Sequence, residues 1–471
     1  MEPRRQHYAI TLAILTLAGT AFALQQTMVF PALPTFQREL GGSTAWATWV
    51  LTGFLVAAAV ATPILGRLGD QYGKERVLLV SLALFLVGSA GAAAAWNLWS
   101  LIGFRALAGA GGAVFPLSFA IIRDEFPPER VKVGIGLLSA VFGVGGGLGI
   151  VLSGVIVDNL SWRWLFVLGS IPVALSLVLV RRFIPESPVR SPSRVDVPGA
   201  LLLSGALVAF MVALTEGERW GWASARIVGL AVSAALLFVA WGQVELRTRA
   251  PMVDMRMLAH RPVLLTNLTT LIAGFALFSC FVLVPRFVEV PESSGYGFGA
   301  TATGAGLYLL PSSLGLLFSG PAAGLLGRRF GSKWPLVGGM LLVSLAALVL
   351  AGAHDEPWHI AAATGALGTG LGFAFAAMVA LIAENVSQTE TGIATGMNTV
   401  ARMIGAVVGG QIGAALLTAR TVGGTPFPAE SAFTTAFGLS AAAALAAALV
   451  ALSISARPPA RRLEPAEALA D

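Results

Sequence analysis

Fourteen apolar runs constrain this chain more than any other feature, because each approaches or exceeds the roughly 20 residues that a helix needs to cross the hydrocarbon of a bilayer. They span 8–33, 44–66, 77–96, 98–122, 133–157, 163–181, 197–215, 224–244, 263–288, 299–326, 334–353, 358–383, 391–417 and 432–455. A backbone in hydrocarbon must satisfy its own hydrogen bonds, so each run is predicted to be a helix and the chain an all-α membrane protein. Of its 471 residues 56% are hydrophobic and only 11% charged, too few polar side chains to clothe a soluble globule. Soluble enzymes and nucleic-acid binders are thereby excluded. The first run is long, lacks a small-residue cleavage site and continues into LQQTMVFPALP, so it is expected to remain as a helix.

Lysine and arginine set the expected orientation. Alternate segments between runs, beginning with Arg4 and Arg5, hold 22 of the 30. The intervening segments hold six, Arg38, Arg163, Arg219, Arg226, Arg286 and Arg420, and Arg105 and Arg402 fall inside runs. This bias predicts both termini in the cytoplasm and accounts for the net charge of +6 as a topology signal. The single cysteine, Cys280, excludes an intrachain disulfide and a thiolate metal cluster. An internal repeat is also visible: Pro63, Gly66, Leu68 and Gly73 recur at Pro321, Gly324, Leu326 and Gly331, and Gly134-Ile135 at Gly392-Ile393, all shifted by 258. One offset at two distant places predicts two homologous halves in parallel orientation, with a ligand site between them near the midplane. The expected division is a six-helix half over 1–181, a cytoplasmic linker 182–196, an inserted two-helix hairpin 197–244, a cytoplasmic loop 245–262, a second six-helix half 263–455 and a cytoplasmic tail 456–471.

The segment GRLGDQYGKERV, Gly66 to Val77, joins the second and third runs. Its glycines suit tight turns, and Asp70 among Arg67, Lys74 and Arg76 can form a network that breaks when helices shift. The competing reading is a solvated basic loop. The segment resembles the signature of the major facilitator superfamily on the loop where that family carries it. Gly66, Asp70, Gly73, Lys74 and Arg76 then become gating candidates.

LIGFRALAGAGGA, Leu101 to Ala113, is similar to the family's helix 4 motif, with Arg105 as its buried arginine; the competing reading is an arginine that snorkels to the interface. GVGGGLGIVLSG, Gly143 to Gly154, followed by Asp158, resembles the helix 5 motif of exporters. It departs from that motif at Ile150, where proline is usual, and at Ser153, where glycine is usual, so small-residue packing is implied and the proline bend is not. LQQTMVFPALPTFQREL and NTVARMIGAVVGG resemble signatures of the fourteen-helix drug:proton antiporter branch. The resemblance implies a major facilitator fold of two six-helix halves plus an inserted pair, and secondary export of a small hydrophobic or amphiphilic compound. Many members carry aspartate at the place of Gln25. Glutamine cannot titrate, so proton coupling is implied less strongly here than for the branch.

The acids lie in loops, tails or at helix ends, as do all four histidines, which argues against an intramembrane hydrolase or metalloenzyme. A neutral, anionic or amphiphilic solute suits Arg105 and Arg402 better than a strong cation. Gln25, Gln26, Arg105, Asp158 and Arg402 are the transport or coupling candidates. The expected cavity residues are Phe30, Trp46, Trp49, Asn267, Thr270, Tyr308, Phe373, Met378 and Asn398, with packing or lipid contact as the competing reading for each aromatic. The partners expected are a small-molecule substrate, membrane lipid and, by the resemblance, protons; neither nucleic acid nor a cofactor or metal is expected. No G-x-x-x-x-G-K-[ST] motif is present for a nucleotide. A monomer in the cell membrane is expected. A lipid transporter and a membrane sensor without transport remain as alternatives.

Overall fold

The computed structural model describes residues 8–29, 32–41, 44–187, 196–248, 251–420 and 427–455. In chain order its α-helices are α1 (Tyr8–Thr27), α2 (Leu33–Leu40), α3 (Thr44–Tyr72), α4 (Lys74–Ala93), α5 (Leu98–Gly109), α6 (Val114–Glu125), α7 (Pro128–Asn159), α8 (Arg163–Phe183), α9 (Val197–Trp220), α10 (Ala225–Arg247), α11 (Met255–Ala259), α12 (Arg261–Glu289), α13 (Ala302–Phe330), α14 (Lys333–Gly352), α15 (Pro357–Asn385), α16 (Thr391–Ala419) and α17 (Glu430–Leu452). Thirteen segments of the described residues are long and apolar enough to cross a membrane, with α5 and α6 counted as one span. The predicted fifth run is α7, a helix of 32 residues.

Differences from the predicted runs fall at prolines, glycines and paired charges. The first run was expected to continue to residue 33, but α1 stops at Thr27 and the eight-residue α2 follows, with proline in its first turn, where a missing N–H costs nothing. The stretch 67–76, expected as a loop, is helical on both sides of Gly73, whose φ of +118° only glycine adopts readily. Charges persist inside these helix ends because they are paired: Lys74 contacts Asp124 and lies 3.9 Å from Asp70, and all three side chains are enclosed.

The fourth run is broken between α5 and α6. Gly111 and Gly112 donate to the carbonyls of Ala108 and Gly109, three residues back, which tightens the chain into a turn. A Cβ on Gly109 would stand 2.2 Å from the Phe54 carbonyl oxygen and one on Gly111 2.6 Å from that of Ser81, so no other residue fits this crossing.

The two largest of five apolar clusters among the described residues form one core in each half. In the first, Phe22 of α1 packs against Phe54, Phe85 and Phe115 from α3, α4 and α6. In the second, Phe287 of α12 meets Tyr296, His354 and Phe433. Hydrogen bonds sew α1 to α7: Thr27 to the Gly145 carbonyl, and the buried Ser153 hydroxyl to that of Met28. The serine that departs from the exporter pattern thus has a structural use.

Between the cores, helices approach at glycines. Gly136 and Gly320 bring α7 onto α13, and Gly66 and Gly392 bring α3 onto α16. Over the second seam lies α9, whose buried Met211 packs with Ala58, Ala59 and Met403. Its partner α10 faces outward, leaving Val232, Leu236 and Val239 exposed.

One end of the bundle gathers Tyr8, Arg123, Arg130, Lys132, Lys333 and Leu452 through mutual contacts and contacts with their neighbours. It is called the basic end below.

Candidate functional site

Midway along the bundle, α6 and α7 from the first core meet α12, α15 and α16 from the second around a small cavity. Phe119, Ser139, Thr270, Phe375, Met378, Val379, Asn398, Thr399 and Arg402 line it. Its free volume is about 20 Å³, room for about one water molecule. Pockets for drug-sized ligands occupy about 300–1,000 Å³, so these walls must separate before a solute of that size can enter.

The polar groups in this cavity are organised by their own helices. Asn398 Nδ2 donates to Asn267 Oδ1 at 2.9 Å and to Thr270 Oγ1 at 2.7 Å. The Thr270 and Thr399 hydroxyls donate one turn back, to the carbonyls of Thr266 and Thr395. Arg402 holds its guanidinium 5.2 Å from the centre of the Phe375 ring. Ser139 is wholly buried, and its hydroxyl has no hydrogen-bond partner among the described residues. Among the described residues no carboxylate lines the space. A larger depression of about 300 Å³ lies at the end of α10, along Ala240, Gln243, Val244, Arg247 and Thr248. It is open, and among the described residues α10 and the residue after it contribute to it.

Of the residues named from the sequence, Thr270, Met378, Asn398 and Arg402 meet at the cavity, with Asn267 one hydrogen bond behind. Four others point elsewhere. Trp49 donates its indole N–H to Glu216 of α9 at 2.6 Å, and Arg219 lies 2.7 Å from the same carboxylate, so Trp49 fastens the inserted helix to α3. Tyr308 stacks on Phe298, 5.7 Å away, and its carbonyl accepts from Thr364. Phe373 has its Cβ against Gly339 of α14, leaving the cavity wall to Phe375 two residues on. Gln25 is buried inside the first half, where its Oε1 accepts from Ser89 at 2.7 Å and its side chain lies against Gly169. Gln26 is half-buried beside it.

Arg105 is fully enclosed, which excludes snorkelling. Its Nε is 3.4 Å from the Val50 carbonyl and its guanidinium 4.2 Å from the Phe54 ring centre, while its terminal nitrogens have no hydrogen-bond partner among the described residues. Phe30 and the side chain of Asp158 lie outside the described residues, as do residues 188–195 of the linker and 456–471 of the tail. The cavity residues not anticipated are Phe119, Ser139, Phe375, Val379 and Thr399.

Gln25→Ala is therefore expected to act on stability. It removes a buried hydrogen bond and leaves space against Gly169, costing about 1–3 kcal/mol. The purified variant should melt earlier and keep its substrate profile. An unchanged melting point with an altered profile would mean that Gln25 reaches the solute.

At the basic end the two halves are fastened together. Asp70 accepts the N–H groups of Gly392 and Ile393 at 3.2 and 3.0 Å, so its buried carboxylate sits at the positive end of α16. Arg123 donates to the carbonyls of Val386 and Ser387 and to the Thr391 hydroxyl. Lys132 pairs with Glu384 at 2.7 Å and donates to the carbonyl of Gly327 at 3.1 Å. Each contact joins α3, α6 or α7 to an element of the second half. Arg76 instead pairs with Glu186, which follows α8 in the linker, at 3.3 Å. These contacts hold the two halves together at this end, beneath a constricted cavity.

Comparison with known proteins agrees with this geometry. The description of the Major Facilitator Superfamily matches residues 15–310 and again 290–470. Multidrug resistance protein 3 of Bacillus subtilis is 34% identical over 306 residues, 64% of this chain and 58% of that protein. The tetracenomycin C resistance and export protein of Streptomyces glaucescens is 29% identical over 337 residues, 71% and 61% of the two chains. The match thus spans a little over half the length of these curated relatives. The crystal structure of the human organic anion transporter MFSD10 (TETRAN) superposes with a TM-score of 0.71 at 14% identity, covering 96% of this chain and 100% of that one, a likeness of fold. This chain is a multi-pass integral membrane protein and a member of the Major Facilitator Superfamily.

Proposed function

We propose that the protein is a secondary transporter that exports a small hydrophobic or amphiphilic compound by alternating access. The observation that carries this reading is the pairing of a cavity lined by both halves with a polar gate that joins those halves at one end only a few turns away. If the helices of 1–181 rock against those of 263–455, the gate opens as the other end closes, and the solute needs no passage through a continuous pore. Relatives named for multidrug resistance and for tetracenomycin C resistance and export support the outward direction. The hairpin within 197–244 rides over the α3–α16 seam. The lysine and arginine bias supports a cytoplasmic basic end and cytoplasmic termini in a cell-membrane protein; on that orientation the conformation described is closed to the cytoplasm. A single chain holds the whole cavity, which supports a monomer surrounded by lipid.

Coupling to protons requires a titrating group. Gln25 is not one, and among the described residues the cavity lining contains no acid. The candidates are the gate acids Asp70 and Glu384, Asp158, whose side chain lies outside the described residues, or an ionisable group on the solute. Flux of a drug panel in proteoliposomes, with and without a proton gradient, tests the reading. Directional, saturable movement of at least one compound is expected. Saturable binding with no flux under any gradient would make the protein a sensor, and photolabelling by a lipid probe with no drug flux would make it a lipid handler. The topology has its own test: single cysteines near Arg190 and Arg256 should resist an impermeant thiol reagent applied outside intact cells, and one near Arg219 should react. Labelling of the first two would overturn the fourteen-helix orientation.

A further inference from the structure

We infer that the first half holds a small monovalent anion of the halide class, such as chloride, between Arg105 of α5 and Gln25 of α1. Arg105 is 0% exposed and Gln25 1%. The guanidinium lies 4.2 Å from the centre of the Phe54 ring and 5.9 Å from that of Phe166, with its Nε 3.4 Å from the Val50 carbonyl. Its two terminal nitrogens and the Gln25 Nε2 have no hydrogen-bond partner among the described residues, and no carboxylate of those residues acts on the charge. Gln25 Oε1 already accepts from Ser89, so what the two side chains leave over is donors alone.

Three helices carry these donors to one region. On α8, Phe166 lies beside the guanidinium, and one turn on, a Cβ at Gly169 would stand 2.5 Å from Gln25 Nε2. On α4, Ser89 holds Gln25 and follows Gly88, where a Cβ would stand 2.3 Å from the Ala108 nitrogen and 2.7 Å from the Phe104 carbonyl oxygen, on either side of Arg105 in α5. On α3, the Phe54 ring under the guanidinium packs 5.4 Å from that of Phe22, one turn before Gln25. A water molecule could accept from these N–H groups but would leave the charge uncompensated in an apolar shell, where a lone ion is expensive and the rings offset only part of the cost. A halide accepts from several donors at once and supplies the countercharge. The glycine crossings close the region on two sides, so its occupant is monatomic and separate from the solute that enters between the halves. The site belongs to the fold of the first half and does not depend on the transport reading.

The test is thermal unfolding of the full chain in nanodiscs across a chloride titration, with gluconate holding the ionic strength. The melting temperature should rise by about 2–5 °C and saturate, because a ligand that binds only the folded state stabilises it by the logarithm of its excess over Kd. Bromide should replace chloride and sulfate should not. Arg105→Gln should abolish the dependence. Gln25→Ala should raise the half-saturating chloride concentration about three- to tenfold, apart from its lower melting temperature. Gln25→Glu sets a carboxylate in the same region and should make the folded protein indifferent to chloride, which keeps the question answerable if Arg105→Gln does not fold. A native melting temperature that ignores chloride, or that climbs without saturating and equally with sulfate, overturns the inference and leaves these donors to water. A saturable chloride effect that survives in folded Arg105→Gln or in Gln25→Glu overturns it as well.

Discussion

Gly392→Ala is expected to lower transport about tenfold to a hundredfold while leaving a folded, membrane-inserted protein. The added Cβ would stand 2.7 Å from the Gly66 carbonyl oxygen and 2.8 and 3.0 Å from the two carboxylate oxygens of Asp70. Two of these contacts are closer than a Cβ tolerates, and the facing group at the closest is backbone, which cannot rotate away. To relieve them α3 and α16 must part at the basic end, where the gate needs them close. Overpacking costs about 1–3 kcal/mol. That cost falls on the closed conformation alone, because the clash disappears once the halves separate, so the equilibrium shifts by about five- to 150-fold. The control is Gly338→Ala on α14, where nothing lies within 4 Å of the added Cβ. A helical alanine there should be neutral or stabilising by about 0.5–1 kcal/mol. Gly324→Ala should behave like Gly392→Ala, because its Cβ would stand 2.6 Å from the Lys132 carbonyl at the other seam. Flux and spectroscopic distances across the basic end read the result. Normal flux and distances in Gly392→Ala would show that the glycine contact does not hold the gate.

The 258-residue offset that reveals the two halves in sequence also marks this device. Gly66 and Gly324 are equivalent by that shift, and each meets the opposite half at backbone distance. The spans were legible for a related reason, since a lipid-exposed helix must be long and apolar whatever it packs against. The side of each helix that faces the cavity was not. In a membrane bundle the lipid-facing, core-facing and cleft-facing sides are all apolar, so no periodic polarity separates Phe373, which packs against α14, from Phe375, which lines the cavity. Gln25 looked like a cleft residue because an amide deep in an apolar helix needs a partner. The partner is Ser89, inside the same half. Ser139 carried no signal at all, because a serine in a helix usually donates one turn back, as Ser81 and Ser170 do here, and only the three-dimensional arrangement shows that it does not. Hydropathy also ended the second run at Gly66, six residues before α3 ends, because it counts charges as loop. Burial and pairing keep Asp70 and Lys74 helical.

Asp70→Asn should weaken the gate by a different route, through charge where Gly392→Ala acts through shape. The Asp70 carboxylate accepts two first-turn N–H groups of α16, with no exposure to solvent. Asparagine offers one acceptor oxygen where aspartate has two, turns an N–H₂ toward a backbone N–H, and removes the negative charge from the positive end of the helix. A hydrogen bond to a charged group contributes about 1.5–3 kcal/mol and the helix-dipole attraction about 0.3–1 kcal/mol or more, partly overlapping, so a loss of about 1–3 kcal/mol in the closed conformation is expected. That is a tenfold or larger shift toward the open gate and a comparable fall in flux. Lys74 separates this effect from a loss of folding. Its ammonium contacts Asp124 and lies 3.9 Å from Asp70, so it ties α4 to α6 inside the first half. Lys74→Gln should lower the melting point of the protein more than it opens the gate, and Asp70→Asn should open the gate more than it lowers the melting point. Distance measurements across Asp70 and Gly392, read beside thermal unfolding for both variants, distinguish the two. If Asp70→Asn leaves the distance distribution and the flux unchanged, closure rests on Arg123, Lys132 and the glycine seam without the carboxylate.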